Sequence, residues 1–308
     1  MRGLLVVNPR ATTTSPRVTD VLVHALSDEL DLDVTVTTHR GHGIALGERA
    51  RQQGLDVVVT LGGDGVVNEV VNGLLVDGPG DDVPLLATVP GGSGNVVARS
   101  LGLPGDPVEA TGMILDRLRE GSTRTIGLGR AGDRWFAANA GLGIDAEIIA
   151  AMERHRKSGR TATPSRYLRT TLAEFFRGTD RREPALTLTR PGDERAEGVF
   201  LAIVQNTSPW TYFGTWPVNP CPEASFDTGL DVFATRRMHV PAALRAARRM
   251  LMSSHAGSTR SGLTVWHDQS AFTLTSSRPI EMQIDGEGMG RTTEVAFTSH
   301  PGALRVVC

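Results

Sequence analysis

Through the first third of the chain, short apolar runs alternate with apolar residues at helical spacing. Leu4–Val7 is an uninterrupted apolar run that predicts a buried strand, and it ends at the turn pair Asn8-Pro9. Val18, Val21, Leu22, Ala25 and Leu26 fall on one face of a helix over Val18–Leu30, and the hydroxyls of Thr12–Ser15 stand ahead of it as N-cap candidates. Val34–Thr38 alternates as a second strand, His39–Gly43 reads as a loop, and a helix spans about Ile44 to Gln53. Leu55–Thr60 is a third, β-branched strand, and a further apolar-periodic segment starts at Val66. Regular alternation of this kind predicts parallel strands in an open α/β sheet. Ligands of such sheets bind at the carboxyl ends of the strands. Asn8, Thr38, the turn Gly62-Gly63-Asp64-Gly65 and the turn Gly91-Gly92-Ser93-Gly94-Asn95 all fall at those ends.

After a helix over about Pro107–Glu120, stopped by Gly121, the pattern changes. From about Thr125 the apolar positions occur in short, alternating runs: Thr125–Leu128, Trp135–Asn139, Ala185–Thr189, Val199–Gln205, Gly229–Ala234, Gly262–Trp266, Ala271–Thr275, Ile280–Ile284, Glu294–Thr298 and Ala303–Val307. These predict a largely antiparallel β domain. Helices are expected within it at about Ala146–Lys157, Arg166–Arg177 and Pro241–Met252. The expected domains are therefore 1–124 (α/β) and 125–308 (β-rich), with the last strand, about 300–308, able to return to the first.

The 308 residues are 40% hydrophobic, which suffices for a substantial core and excludes wholesale disorder. No apolar run approaches the roughly 18 residues of a spanning helix, and the first strand is too short for a signal peptide. A cytoplasmic protein is expected. Two cysteines, Cys221 and Cys308, make no disulfide framework, and no Cys/His spacing suggests zinc. The net charge of −2 hides two basic patches, +6 over Ala151–Arg182 and +5 over Arg236–Arg249. Such patches on an otherwise acidic chain fit a phosphate-bearing partner or transient contact with an anionic membrane surface better than nucleic acid. Two solvated helix faces would give the same count.

Candidate chemistry centres on the first glycine turn. Glycine allows close approach of a phosphate, a helix N-terminus suits an anion, and Asp64 adds a carboxylate where Mg²⁺ or a reacting hydroxyl would need one. Gly-Gly-Asp-Gly reads equally well as a plain turn. Asn68 and Glu69, polar on an otherwise apolar helix, and the second glycine turn favour a site. No Gly-x-x-x-x-Gly-Lys-Ser/Thr occurs, so this is not a P-loop protein. Asp285-Gly286 by itself reads as a hairpin turn. Trp210, Tyr212, Phe213 and Trp216 crowd one loop-like stretch, as an acyl-pocket lip or as ordinary core aromatics. The eight histidines form no ligand pattern, though His39 and His42 lie near the strand ends.

Taken together, Asn8-Pro9, Gly62-Gly63-Asp64-Gly65-x-x-Asn68-Glu69-x-x-Asn72-Gly73, Pro90-Gly91-Gly92-Ser93-Gly94-Asn95-x-x-Ala98-Arg99 and Ile284-Asp285-Gly286-Glu287 resemble the diacylglycerol kinase catalytic-domain family. That family takes in bacterial diacylglycerol kinases and the related sphingosine and ceramide kinases. The resemblance implies a two-domain lipid kinase, an α/β nucleotide-binding domain followed by a mainly antiparallel β-sandwich, with ATP and Mg²⁺ as cofactors, diacylglycerol or a similar lipid as acceptor, and an active site in the interdomain cleft. It implies that Asn8, Thr38, Gly62, Gly63, Asp64, Gly65, Asn68, Glu69, Gly92, Ser93 and Asn95 line the nucleotide site. Asp285 would be the general base, with Asp64 the second catalytic carboxylate, and Glu287 would support the nucleotide–Mg²⁺ end. Phe226-Asp227-Thr228-Gly229-Leu230-Asp231 resembles an acidic turn that holds a structural Mg²⁺ in some members, which points to Asp227 and Asp231. Two positions depart from the family: Val96 where Asp is common, and Thr228 where a second Asp is frequent. An NAD-kinase-like enzyme with a soluble acceptor and a weakly active nucleotide- or lipid-binding regulator are the alternatives. Homodimerisation is left open.

Overall fold

A computed structural model describes residues 1–157, 170, 183–214, 216–252 and 262–308. The expected helix at Arg166–Arg177, and with it most of the first basic patch, lies outside the described residues. The chain divides into two compact units, Met1–Leu128 with Pro301–Cys308, and Gly129–His300.

In the first unit, strands β1 (Arg2–Val7), β2 (Asp31–Val36), β3 (Val57–Gly62) and β4 (Leu85–Pro90) alternate with helices α1 (Pro16–Ser27), α2 (His42–Gln52) and α3 (Asp64–Leu74). The short α4 (Val96–Ser100) and α5 (Pro107–Glu120) follow. The strands pair in the order β2–β1–β3–β4, all parallel. Near the C-terminus Val306 pairs parallel with Leu86, and the Val307 N–H donates to Leu86 O at 2.9 Å. All six residues of β3 are buried, as its unbroken apolar run requires of a central parallel strand. The bounds of α5 follow from its ends. The Asp106 side chain accepts from the N–H groups of Val108 and Glu109, and Gly121 closes the helix at φ +64°. Gly47 and Gly73 bring α2 and α3 together backbone to backbone: a Cβ on Gly73 would lie 2.7 Å from Glu48 N, and one on Gly47 would lie 3.0 Å from Leu74 N.

In the second unit the strands are mostly antiparallel. They are β5 (Arg124–Ala131, which starts in the first unit), β6 (Arg134–Phe136), β7 (Asn139–Gly143), β8 (Leu186–Thr189), β9 (Arg195–Val199), β10 (Leu201–Gln205), β11 (Thr211–Phe213), β12 (Trp216–Val218), β13 (Leu230–Thr235), β14 (Leu263–Gln269), β15 (Ala271–Ile284) and β16 (Glu287–Val306, which ends in the first unit). Two helices, α6 (Ile144–Lys157) and α7 (Val240–Met252), are inserted. The main order is β14–β13–β10–β7–β15–β16, and β8 joins β15 to β9. Phe272 stacks on Phe297 at 5.0 Å and Phe136 meets Phe297 edge-on at 6.3 Å, inside one buried hydrophobic cluster. A second cluster joins Ile144, Ile148 and Met152 of α6 to Phe233, Met238 and Ala246. The expected combination of an α/β domain and a largely antiparallel β domain is therefore observed. Two expected pairs of strands are each one long strand: β15 carries its interruption as a register shift between Thr275 and Ile280. The aromatic stretch read as loop contains the β11–β12 hairpin.

Candidate functional site

The two glycine turns lie one on the other. Gly91 N–H donates to Gly62 O at 2.7 Å. A Cβ on Gly91 would sit 2.9 Å from Gly62 Cα, and one on Gly92 would sit 2.6 Å from Gly63 Cα. Real Cβ atoms do not come so near a backbone, so the second turn requires glycine at 91 and 92, while a Cβ on Gly63 would meet Gly92 Cα at a tight 3.3 Å. Asn95, at φ +50°, closes the second turn by accepting from Gly92 N–H at 2.8 Å and donating to Gly92 O at 2.7 Å. Asp64 links the turns from the other side, its Oδ1 accepting the Val97 N–H at 3.0 Å in the first turn of α4. Asn8 joins them at the end of β1: its N–H donates to Leu61 O at 2.9 Å, and its Cβ would lie 3.1 Å from a Cβ on Gly62. Ser93 is exposed on the rim.

Helix α3 begins at Gly63 with no side-chain cap. Its N-terminus, with its partial positive charge, thus opens directly at the stacked turns, as an anion site requires. Thr14 was not among the expected site residues. Its hydroxyl is buried without a hydrogen-bond partner, 3.0 Å from where a Gly91 Cβ would stand, and Thr13 N–H donates to Gly91 O at 2.9 Å. The run of hydroxyls at Thr12–Ser15 was its only sequence signal. A glycine cradle that any Cβ would fill, a helix start without a cap, an unpartnered hydroxyl and a neighbouring carboxylate together fit a nucleotide phosphate. Mg²⁺ in such a site is held by one or two carboxylates plus phosphate oxygens.

Asn68 and Glu69 were expected to line this site, but the fold turns both inward, at 1% and 6% exposure. Glu69 takes the Gly41 N–H on Oε1 at 2.7 Å and the Gly43 N–H on Oε2 at 2.8 Å. Its carboxylate is the anion at the start of α2, and it fixes the β2–α2 loop. That loop carries Thr38, whose hydroxyl lies 2.8 Å from His39 Nδ1, and His39 and His42 stack at 5.0 Å.

In the second unit Asp285 is buried at φ +45°, a left-handed conformation costly for aspartate. Three backbone N–H groups hold its carboxylate: Ala137 on Oδ2, and Ala138 and Asn139 on Oδ1, each at 2.9 Å. The turn below is tied by Gln283, whose Oε1 accepts the Gly286 N–H at 2.9 Å. Gln283 Nε2 donates to Asn139 Oδ1 at 3.0 Å and to Asp145 Oδ2 at 2.8 Å. Burial pushes the Asp145 carboxyl up to about 6, against the pull of the Gln283 hydrogen bond. Asp145 and Gln283 had not been expected. Glu287 stands half-buried at the start of β16.

Asp227 and Asp231 are not brought into a metal cluster. Among the described residues no three His, Cys, Asp or Glu side chains are grouped to hold an ion. Asp231 is buried, and its oxygens take His267 Nδ1 at 2.8 and 3.0 Å and the Asp268 N–H at 3.0 Å. The hydrogen bond to Asp231 raises the His267 pKa. An imidazole thus stands against the carboxylate where a cation was expected. Asp227 is exposed, and Thr228 Oγ1 donates within its own turn to Ser225 O at 3.1 Å.

Residues 2–131 match the family described as diacylglycerol kinase catalytic domain. A protein named probable lipid kinase YegS-like from Chromohalobacter salexigens is 38% identical over 117 residues, which is 38% of this chain and 36% of that protein. The diacylglycerol kinase of Mycobacterium tuberculosis H37Rv is 35% identical over 172 residues, 50% of this chain and 52% of the relative. The chain thus matches between about one third and one half of the length of these curated relatives. A crystal structure of a diacylglycerol kinase from Bacillus anthracis superposes with a TM-score of 0.73 at 18% identity, over 99% of this chain and 96% of the other. An NAD kinase from Archaeoglobus fulgidus, solved with ATP, gives a TM-score of 0.52 at 10% identity over 99% and 93%.

Proposed function

We propose, from the match of residues 2–131 to the diacylglycerol kinase catalytic domain family, that this protein transfers the γ-phosphoryl group of ATP to a lipid hydroxyl, on diacylglycerol or a similar acceptor. The observation that carries the reading is the stacked pair of glycine turns at the open N-terminus of α3. Phosphoryl transfer asks a protein mainly for positioning and for neutralisation of charge. The Gly62–Gly65 and Gly91–Asn95 turns supply a close backbone cradle, and the α3 N-terminus faces phosphate oxygens. The Thr14 hydroxyl and Ser93 add donors. Asp64 is the residue that would hold Mg²⁺, which when bound would offset negative charge on the phosphates. The β2–α2 loop, fixed by Glu69, presents Thr38, His39 and His42 to the rest of the nucleotide.

Asp285 is the proposed acceptor of the lipid hydroxyl's proton. Three N–H donors and the Gln283 tie set its carboxylate in one place, and a base that acts through geometry needs that placement. Val96 leaves the second turn without the carboxylate common in the family, so Asp64 is the carboxylate at the stacked turns.

The test is transfer of label from γ-labelled ATP, with Mg²⁺, to diacylglycerol, monoacylglycerol, ceramide or sphingosine in mixed micelles, and to NAD as a soluble acceptor. Label in a lipid supports the reading and names the acceptor. Label in NAD alone overturns it in favour of a soluble-acceptor kinase. Asp285→Asn separates an enzyme from a binding protein: turnover should fall at least roughly a hundredfold, within the usual range for a general base. Unchanged turnover would remove Asp285 from the mechanism.

A further inference from the structure

Helix α7 buries a narrow stripe, Ala242 and Ala246. Its outward side is not the polar face of a solvent-exposed helix. Leu244 is 65% exposed, Leu251 52% and Met252 62%. Leu244 and Leu251 stand seven residues apart, two turns along one face, and Met252 adjoins them. Arg245 and Arg248 are exposed among them. Over Arg236–Arg249 there are five arginines and no acidic residue. The β11–β12 hairpin is joined to the last turn of this helix, where Asn219 N–H donates to Met250 O at 2.7 Å. Trp216 of that hairpin is 71% exposed. Exposed aliphatic side chains and guanidinium groups thus share the helix, and the hairpin that carries the exposed indole is tied to its last turn.

We propose that the outward face of α7, together with Trp216, is the surface by which this protein docks on an anionic phospholipid bilayer. Leu244, Leu251, Met252 and Trp216 enter the boundary between headgroups and acyl chains, and Arg245 and Arg248 pair with lipid phosphates. The combination is that of an interfacial helix: apolar and aromatic residues for the boundary, basic residues for the headgroups, and no carboxylate to repel them. Charge argues against a second copy of the chain as occupant, because a symmetric contact would set arginine against arginine. The proposal rests on the lipid-kinase reading for its purpose, since a lipid acceptor must be met at a bilayer. Among the described residues no helix is long and apolar enough to cross a membrane.

The experiment is co-sedimentation of the full chain with phosphatidylcholine vesicles, with and without phosphatidylglycerol. Three proteins are compared: the parent, the exposed apolar variant Leu244→Ser/Leu251→Ser, and the exposed basic variant Arg245→Gln/Arg248→Gln. Circular dichroism melting checks that the variants stay folded. The parent should bind only the phosphatidylglycerol vesicles, more weakly as salt rises, and each variant should bind at least roughly tenfold more weakly. Kinase activity on micellar acceptor should be unchanged in both variants, while activity on vesicle-borne acceptor falls. A protein that sediments as expected yet phosphorylates no lipid keeps the docking surface and loses the kinase reading. Equal binding by parent and variants, or binding indifferent to phosphatidylglycerol, overturns the docking surface. So does a vesicle-free parent that sediments as a dimer which the variants dissociate.

Discussion

Gln283 donates its side-chain amide to Asp145 Oδ2 at 2.8 Å, and the other end of the same amide accepts the N–H of Gly286 at 2.9 Å. One buried glutamine therefore couples a carboxyl on α6 to the turn that carries Asp285. Burial raises Asp145 from the ordinary 3.8 to about 6, so the folded chain holds this proton more tightly than the unfolded chain. For a raised carboxyl the stabilising contribution is full below about pH 4 and is lost as pH rises through about 6. Two units of difference correspond to roughly 3 kcal/mol. Asp145→Asn keeps an oxygen for the Gln283 amide and cannot ionise. Its stability relative to the parent should improve by roughly 2–3 kcal/mol between about pH 4 and pH 6 and stay level above that. Urea unfolding of both proteins across this range measures the difference. A difference that does not change with pH would mean Asp145 does not titrate there in the folded chain.

Gln283→Leu tests the tie itself. The side chain is 2% exposed and the substitution nearly conserves its volume. Asp145 and Asn139 would be left buried without this partner, and the Gly286 N–H would lose its acceptor. The expected cost is about 2–4 kcal/mol, read as a lower melting temperature. Under the proposed mechanism, kcat should drop by at least roughly tenfold with little change in KM for ATP, as a displaced base on otherwise intact nucleotide contacts would give. Lost stability with normal turnover per folded molecule would show that the tie serves folding alone.

Gly92→Ala addresses the cradle. Its Cβ would stand 2.6 Å from Gly63 Cα and 3.1 Å from Asn95 Oδ1, so the turns must part. KM for ATP should rise by roughly tenfold or more, because the backbone can no longer close on phosphate. Gly112→Ala is the matched control inside α5, where a Cβ meets nothing within 4 Å. It should leave kinetics alone and stabilise the protein by about 0.5–1 kcal/mol through helix propensity. If both variants bind ATP like the parent, the stacked turns are not the phosphate site.

The first unit was largely legible because its signals are local. β3 is an unbroken apolar run, α5 carries its own cap residues, and the glycine turns lie where strands meet helices. Non-local partners are what the sequence hides. β7, Asn-Ala-Gly-Leu-Gly, does not read as a separate strand, yet Gly141 is small because a Cβ there would strike the Asp145 carboxylate. Ser276–Pro279 reads as a break, but β15 passes through it with a register shift. The acidic turn at Asp227–Asp231 resembles a cation site, and His267, 36 residues downstream of Asp231, supplies the partner that the pattern cannot show. Glu69 looked like a ligand residue on a helix face. Its partners, 26 and 28 residues away, make it a fastener.

That fastener gives a further prediction. The Glu69 carboxylate pairs one oxygen with Gly41 N–H and the other with Gly43 N–H, at 2.7 and 2.8 Å. Glu69→Gln keeps the shape but offers one acceptor and turns an NH₂ toward the second N–H, at a cost of about 1–3 kcal/mol. Hydrogen exchange at Gly41 and Gly43 should speed up as the loop opens locally. Gly43→Ala should loosen the same loop by another route, since its Cβ would lie 2.7 Å from Glu69 Cβ. If Thr38, His39 and His42 contact the nucleotide, both variants raise KM for ATP several-fold and lower kcat less, because binding is weakened while the reacting groups keep their places. Faster exchange with an unchanged KM in both variants would take the β2–α2 loop out of the nucleotide site and leave the α3 N-terminus and the two glycine turns to hold ATP alone.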